Sequence, residues 1–355
     1  MRLMNAFGDA ARHTVLSAVP DALGARDAID PGINVEFPTR APPLQGKPAL
    51  SRYRALAAYM QRFDLILTYN WGAMDAVMTR RMFPKLLPPL IHHEDGFNSD
   101  ESETLKVKRN LFRRLGLPAA HALVVPSERL EKVAIEVWRQ PRKRVQRIAN
   151  GIDVNVYAGR PTLGIPGLRK KKGEVVIGTL AGLRAVKNLP KLVRAAASTP
   201  HARLVIVGEG PEREAILSEA QRIRFADRLI MPGFISAPHR YLGHFDIFAL
   251  SSDSEQFPIS LIEAMAAGLP VVATDVGDVA QIVSRENAQL VVDAKAEMAF
   301  RSALLRLATD QPLRAALGVT NRAKARAQYD EATMISRYRN LYDEAVGWPG
   351  ALGES

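Results

Sequence analysis

Eleven short apolar runs recur along the chain, and helix-like stretches separate them. They read HTVLSAV (13–19), FDLILTY (63–69), PPLIHH (88–93), HALVVP (121–126), VQRIAN (145–150) and EVVIGTL (174–180). ARLVIVG (202–208), DRLIMPG (227–233), FDIFALS (245–251), PVVAT (270–274) and AQLVVD (288–293) follow. Most show little alternation of polar and apolar residues, as strands buried on both faces do. Strands that alternate with helices argue for parallel sheets flanked by helices, an α/β class. A chain of 355 residues exceeds one ordinary core and implies two domains. The stretch AGRPTLGIPGLRKKKG (158–173) has Gly, Pro and a charge run without periodicity, and reads as the linker between two doubly wound domains. A last helix is expected over about 331–346.

Composition narrows the partners. No apolar run approaches the roughly 18 residues of a membrane-spanning helix, and the N-terminus lacks a basic-then-apolar signal. Cysteine is absent, which excludes disulfides and Cys-ligated metals and fits a reducing, cytoplasmic setting. The net charge is +11, and residues 101–200 hold 21 Lys+Arg against 7 Asp+Glu. Part of that excess is ESETLKVKRNLFRRLG (101–116). Read as a helix, it puts Lys106, Arg109 and Arg113 on one face, with Leu111, Phe112 and Leu115 as apolar surface. Such a helix suits a peripheral place on an anionic membrane surface, and a plain solvated helix explains it equally. RKRVQR (142–147) and RKKK (169–172) read as surface turns. With no zinc finger, RNA-binding signature or aromatic platform, nucleic acid is disfavoured.

Chemistry concentrates in SEQFPISLIEAMAAGLPVVATD (254–275), where Glu255 and Glu263 stand eight apart in an apolar segment. Pro258 suits a first helical turn, residues 259–267 are mostly good helix formers, and Gly268 is a natural stop with Pro270 beyond it. Glu255 thus lies in the loop before a helix and Glu263 inside it. One such Glu is more often a capping or ion-paired group, but two flanking Phe257-Pro258 are harder to explain that way. In open α/β sheets, ligands bind at the carboxyl ends of the strands. Arg184 and Lys187 follow EVVIGTL, the Gly208–Gly210 turn follows ARLVIVG, and DVGDV with Gly277 follows PVVAT. Two cations and a helix N-terminus suit a diphosphate, and a helix carboxylate suits a ribose diol. Eight helical residues rise about 12 Å, roughly the reach from a ribose past its diphosphate to an attached sugar.

These motifs resemble the donor-site signature of the retaining glycosyltransferases of family 4, with the GT-B fold. ALVVPSERL (122–130), RIANGIDVNVY (147–157), GTLAGLRAVKNL (178–189), RLVIVGEGPER (203–213) and FDIFALSSDSEQFP (245–258) carry it beside the Glu pair. The resemblance runs from about residue 13 to the end, strong over 121–285 and thin before 90. It implies two doubly wound Rossmann-like parallel-sheet domains facing a cleft. Residues 1–160 would form the acceptor-side domain, joined by the C-terminal helix 331–355, and 165–330 the nucleotide-sugar donor domain. It implies retaining transfer from a nucleoside-diphosphate sugar to a glycan or lipid-linked acceptor, in surface polysaccharide or glycoconjugate synthesis, with no metal. Glu255 would contact the donor sugar, Glu263 the ribose, and Arg184 and Lys187 the leaving diphosphate. Backbone N–H groups around Phe257, Pro258, Ile259 and Ser260 would face sugar and phosphate, Pro258 itself having none.

The pattern is not matched throughout. Gly182 stands where many relatives have Arg, Gln256 where many have Gly, and Asp278 where Gly is frequent. The first strand and Gly-rich loop of the family are expected to be missing. IHHEDGFNSDE (91–101) is a second candidate. Its adjacent His92, His93, Glu94 and Asp95 point alternately to opposite faces of a strand, which disfavours a metal. The resemblance places this loop near the acceptor, with His93 hydrogen-bonding the reacting sugar and Glu94 or Asp95 orienting it. The bland reading is a polar loop.

Other classes fare worse. A dehydrogenase needs Gly-x-Gly-x-x-Gly with an acidic residue about 20 further on, and GEGPER lacks the third Gly. A GT-B sugar-nucleotide epimerase would need its own catalytic acids. A non-catalytic nucleotide-sugar-binding protein is the remaining alternative.

Overall fold

The computed structural model describes the chain except residues 20–23, 48, 97–105 and 354–355. The chain divides into two compact units, Met1–Ala149 with Thr333–Ser355, and Asn150–Ala332.

The first unit begins with α1 (Arg2–Phe7), β1 (His13–Thr14), β2 (Val35–Glu36) and α2 (Leu50–Met60). It continues through β3 (Ile66–Tyr69), α3 (Met74–Met82), β4 (Leu90–His93), α4 (Val107–Gly116), β5 (Ala122–Val125), α5 (Glu128–Lys132) and β6 (Val145–Arg147). β3, β4, β5 and β6 form a four-stranded sheet in that order, every pair parallel. β1 and β2 form a separate parallel pair. Strand side chains alternate between faces. Leu90, Leu123 and Val125 pack toward Leu56, Met74, Val77 and Trp138, whereas Ile91, Ala122 and Val124 pack toward Phe7, Tyr338, Leu341 and Tyr342. Both faces are covered, so both parities of each strand are apolar. That is why LIHH and ALVV read as continuous buried runs.

The second unit contains β7 (Val175–Leu180), α6 (Leu189–Ala197), β8 (Ala202–Val207), α7 (Arg213–Arg222) and β9 (Leu229–Gly233). Then come β10 (Ile247–Leu250), α8 (Ile259–Ala266), β11 (Val271–Thr274), α9 (Val279–Ile282), β12 (Val291–Val292), α10 (Glu297–Thr309) and α11 (Gln311–Gln328). The sheet order is β12-β11-β10-β7-β8-β9, all parallel. The chain starts in the middle at β7, winds outward to β9, returns to β10 and winds out the other way. This is a doubly wound sheet whose order reverses between β7 and β10. α12 (Glu331–Val346) starts at the boundary, and from Thr333 onward belongs to the first unit.

All eleven apolar runs contain a strand, most of them shorter than the run. β2 has no counterpart among them, because two residues carry no readable period. The expected linker at 158–173 is no free tether. The Thr162 and Leu163 N–H groups both donate to the Arg240 carbonyl, at 2.8 and 2.9 Å, and Ile165 is buried. That segment therefore packs within the second unit.

Candidate functional site

The order reversal between β7 and β10 leaves a gap at their carboxyl ends where two loops leave in opposite directions. The loop after β7 carries Arg184, a turn over Ala185–Lys187, and Asn188 in the left-handed conformation. The loop after β10 runs from Ser251 to Pro258 and carries Glu255. Side chains and backbone sew the two loops together. Ser251 Oγ donates to the Lys187 carbonyl at 2.9 Å, the Asp253 N–H to the Val186 carbonyl at 2.8 Å, and Asn188 Nδ2 to Asp253 Oδ1 at 3.0 Å. The result brings Lys187 Nζ to 2.6 Å from Glu255 Oε1. Ser252 Oγ donates to the same oxygen at 2.7 Å. Glu255 is only 8% exposed, so its charge depends on these two donors. Arg184 is exposed beside Gly182.

α8 begins four residues after Glu255. Pro258 is its N-cap rather than a residue of its first turn, and among the described residues no side chain caps its N-terminal N–H groups. Those donors, on Ile259, Ser260 and their neighbours, carry the positive end of the helix dipole. The far end is held firmly. Gly268 is the left-handed stop (φ 78), Arg322 donates to the Ala267 carbonyl at 2.7 Å, and Asn321 donates to Leu269 at 2.9 Å. Glu263 is the fifth residue of α8 and accepts a hydrogen bond from Tyr157 Oη at 3.0 Å. Tyr157 meets His239 edge-on at 5.9 Å. The nearby Tyr241 phenol is pushed up to about 12 by burial and then by the Glu263 charge. Phe257 meets Tyr329 edge-on at 5.9 Å. Tyr157 and His239 were not singled out from the sequence. The NGIDVNVY motif contains Tyr157, but nothing in it names a partner 106 residues away.

Gly208 and Gly210 have positive φ (141 and 154). A Cβ on either would collide with a carbonyl of the β7 loop, Ala181 for Gly208 and Leu183 for Gly210. The Leu183 N–H also donates to the Glu209 carbonyl at 2.8 Å. These glycines let the two loops lie backbone to backbone, which is the role the geometry gives them. Gly277 likewise lies under the Glu255 carbonyl, which a Cβ would strike.

In the first unit His93 is 1% exposed. Its Nδ1–H donates to the Thr68 carbonyl at 3.2 Å, and Nε2 accepts from Tyr342 Oη at 2.9 Å. Tyr69 stacks on the ring at 4.5 Å. Burial pushes the imidazole down to about 3, so it is neutral. Both nitrogens are engaged inside the unit, so in this arrangement His93 offers no free atom to a sugar, contrary to the expectation. Glu94 is also buried. Arg113 grips it through Nε to Oε2 at 3.2 Å and NH2 to Oε1 at 3.1 Å, and His92 Nε2 lies 3.4 Å from Oε2. The rest of that loop, 97–101, lies outside the described residues.

The basic helix needs a correction too. Its part at 101–105 lies outside the described residues, and α4 begins at Val107. Arg113 is fully buried, held between Glu94 and the rings of Trp71 and Trp138, at 5.2 and 4.7 Å. Arg109 sits over Trp71 at 5.1 Å. The face bearing Arg109 and Arg113 therefore turns inward, because a carboxylate and two indoles wait there. Among the described residues no group of three His, Cys, Asp or Glu is placed to hold a metal ion, and no helix is long and apolar enough to cross a membrane.

Comparison with known proteins bears on both units. A model of Glycosyltransferase Family 4 matches residues 2–156, and one of Glycosyl transferases group 1 matches 165–324. The chain is 26% identical over 244 residues to N-acetyl-alpha-D-glucosaminyl L-malate synthase of Bacillus anthracis, covering 67% of this chain and 63% of that protein. It is 26% identical over 160 residues to the lipopolysaccharide core biosynthesis glycosyltransferase LpsD of Rhizobium meliloti, covering 45% and 47%. The chain thus spans roughly half to two-thirds of these relatives. Among solved structures, Anabaena Alr3699/HepE in complex with UDP superposes with a TM-score of 0.72 at 20% identity, over 88% of this chain and 87% of that one.

Proposed function

Because the chain belongs to the group 1, family 4 glycosyltransferases and has their GT-B fold, we propose that it transfers a hexose-type sugar from a nucleoside-diphosphate sugar with retention. The Lys187–Glu255 pair at 2.6 Å across the order reversal of the sheet carries this reading. A diphosphate arriving there would meet Lys187, Arg184 and the uncapped N–H groups of α8, which together offset its charge without a metal. Lys187 would then turn from Glu255 toward phosphate. Glu255, with Ser252 still on it, would take hydroxyls of the donor sugar beside the reacting carbon. Glu263 would exchange the Tyr157 hydroxyl for the ribose diol. The bond from the anomeric carbon to the diphosphate oxygen would break as the acceptor oxygen bonds to that carbon on the same face, through an oxocarbenium-like state, and the acceptor's proton would pass to the leaving diphosphate, so the anomeric configuration is kept. UDP in HepE supports a nucleoside diphosphate as the ligand. The name of LpsD supports a glycan or lipid-linked acceptor in a surface polysaccharide or glycoconjugate.

A thermal-shift screen against UDP, GDP, ADP, CMP and NAD tests the donor site. A ligand at 100 times its Kd should stabilise the fold by about 2.7 kcal/mol. One nucleoside diphosphate should shift the wild type, and Glu263→Ala by clearly less. A shift by NAD alone, or one undiminished in Glu263→Ala, would remove the proposal. Transfer from a labelled donor then separates an enzyme from a binding protein.

A further inference from the structure

A second group of cations lies at the end of the first unit's sheet. Residues 137–152 hold Arg139, Arg142, Lys143, Arg144 and Arg147 and no Asp or Glu. An open cleft of about 380 Å³ lies beside β6, lined by Arg142, Val145, Arg147 and Ala149, with Glu131 of α5 and Arg337 of α12. Its charges are unequally compensated. Arg147 is spent on α5, with Nη1 3.0 Å from Glu128 and Nε 3.3 Å from Glu131. Arg337 Nη2 donates to the Arg147 carbonyl at 2.6 Å, a neutral partner. Among the described residues the Arg142 guanidinium has no hydrogen bond or ion pair. Arg142 and Arg337 thus line one cleft, each without a carboxylate of its own. The place of the cleft in the chain matters too. The chain leaves the first unit after Ala149 and returns to it at Thr333. Within the second unit the two joining segments are stitched together, the Ile152 N–H donating to the Tyr329 carbonyl and the Glu331 N–H to the Ile152 carbonyl, both at 2.9 Å. Within the first unit Arg337 joins the same two segments through the Arg147 carbonyl.

We infer that this cleft binds the phosphoryl group of a small phosphate ester between Arg142 and Arg337, and that the bound ester ties the end of β6 to the start of α12. Guanidinium forks match pairs of phosphate oxygens, and a concave, cationic wall concentrates small anions. The volume falls within the range of small-molecule sites, which leaves room beyond the phosphoryl group for an organic body against Val145 and Ala149. The ester would add a charged link between two segments that share one neutral hydrogen bond there. Every residue of the donor site belongs to the second unit, so the inference does not rest on that reading.

Isothermal titration of the full chain in low-salt buffer tests this, with glucose 1-phosphate, glucose 6-phosphate, glycerol 3-phosphate, inorganic phosphate and glucose as probes. At least one ester should bind, inorganic phosphate more weakly, and glucose not at all. Arg142→Ala and Arg337→Ala should each weaken the ester by roughly ten-fold, the loss of a hydrogen bond to a charged group. Both side chains are exposed, so both variants should keep a melting temperature near that of the wild type. Glu263→Ala should bind the ester as the wild type does. Amide hydrogen exchange should slow over 145–150 and 333–340 when the ester is added, because local opening there is opposed. Binding by none of the esters overturns the inference, as does inorganic phosphate binding as tightly as the best ester. Undiminished binding in Arg142→Ala, binding lost in Glu263→Ala, or exchange unchanged in both segments overturns it too.

Discussion

Glu255 and Glu263 are both carboxylates with partners. Glu255 holds a cation and a hydroxyl on one oxygen, and Glu263 accepts a hydrogen bond from the Tyr157 phenol. Glu263→Ala should mainly weaken nucleotide binding, by roughly 1.5–3 kcal/mol for hydrogen bonds to a charged group. Glu255→Ala should mainly lower turnover, and steady-state kinetics with binding isotherms separate the two effects. His93 gives a pH dependence. Its folded-state pKa of about 3 lies below the ordinary value near 6.5, so the unfolded chain binds the proton first. The stability it contributes is fully present above about pH 6.5 and is lost as pH falls toward 3, by at most about 1.4 kcal/mol per pH unit. Urea titrations at pH 7 and pH 5 should show a smaller loss in His93→Gln than in the wild type. The Glu pair and the cations were legible as residues at a strand end. Their contacts were not, since Lys187 and Glu255 stand 68 residues apart and a sequence does not state which loops meet.

At the scale of elements, period was legible and direction was not. The pattern of α4 marks two faces, and the habit of arginine to seek water assigned the wrong one to solvent. The inward face is set by a carboxylate from β4's end and by Trp71 and Trp138, none of which lies in the helix. Removing the arginine tests this. Arg113→Ala takes the guanidinium from buried Glu94 and leaves the His92 ring 3.4 Å away, which should cost about 3–5 kcal/mol. Lys108→Ala, exposed on the same helix, should stay within about 0.5 kcal/mol, as urea midpoints would report. α8 was easier to read. A proline before it, good helix formers through it and Gly268 after it are local signals, and local signals suffice for an element's bounds. The two-residue strands β1, β2 and β12 show the other limit, because their pairing is decided by neighbours rather than by their own residues.

The division of the whole molecule was legible in outline, from length and from alternation of strand and helix. Strand order was not, since many windings share that alternation. The order of the second sheet has a consequence for how the protein comes into being. β7, β8 and β9 are consecutive and pair with one another, as do β10, β11 and β12. Each half is local in sequence, but the seam between them is not. Asp246 reaches Val176 across 70 residues, and such distant pairings are slow to close. Lys187 belongs to the first half and Glu255 to the second, so their meeting is among the late events of folding. In refolding from urea, far-UV ellipticity should recover ahead of the fluorescence of a bound nucleotide analogue, and coincident recovery would contradict that order. On the ribosome the same geometry sets a schedule. A nascent chain that has emerged only as far as β9 holds half a sheet with the β7 edge bare, and any ligand competence must wait for the second half to arrive.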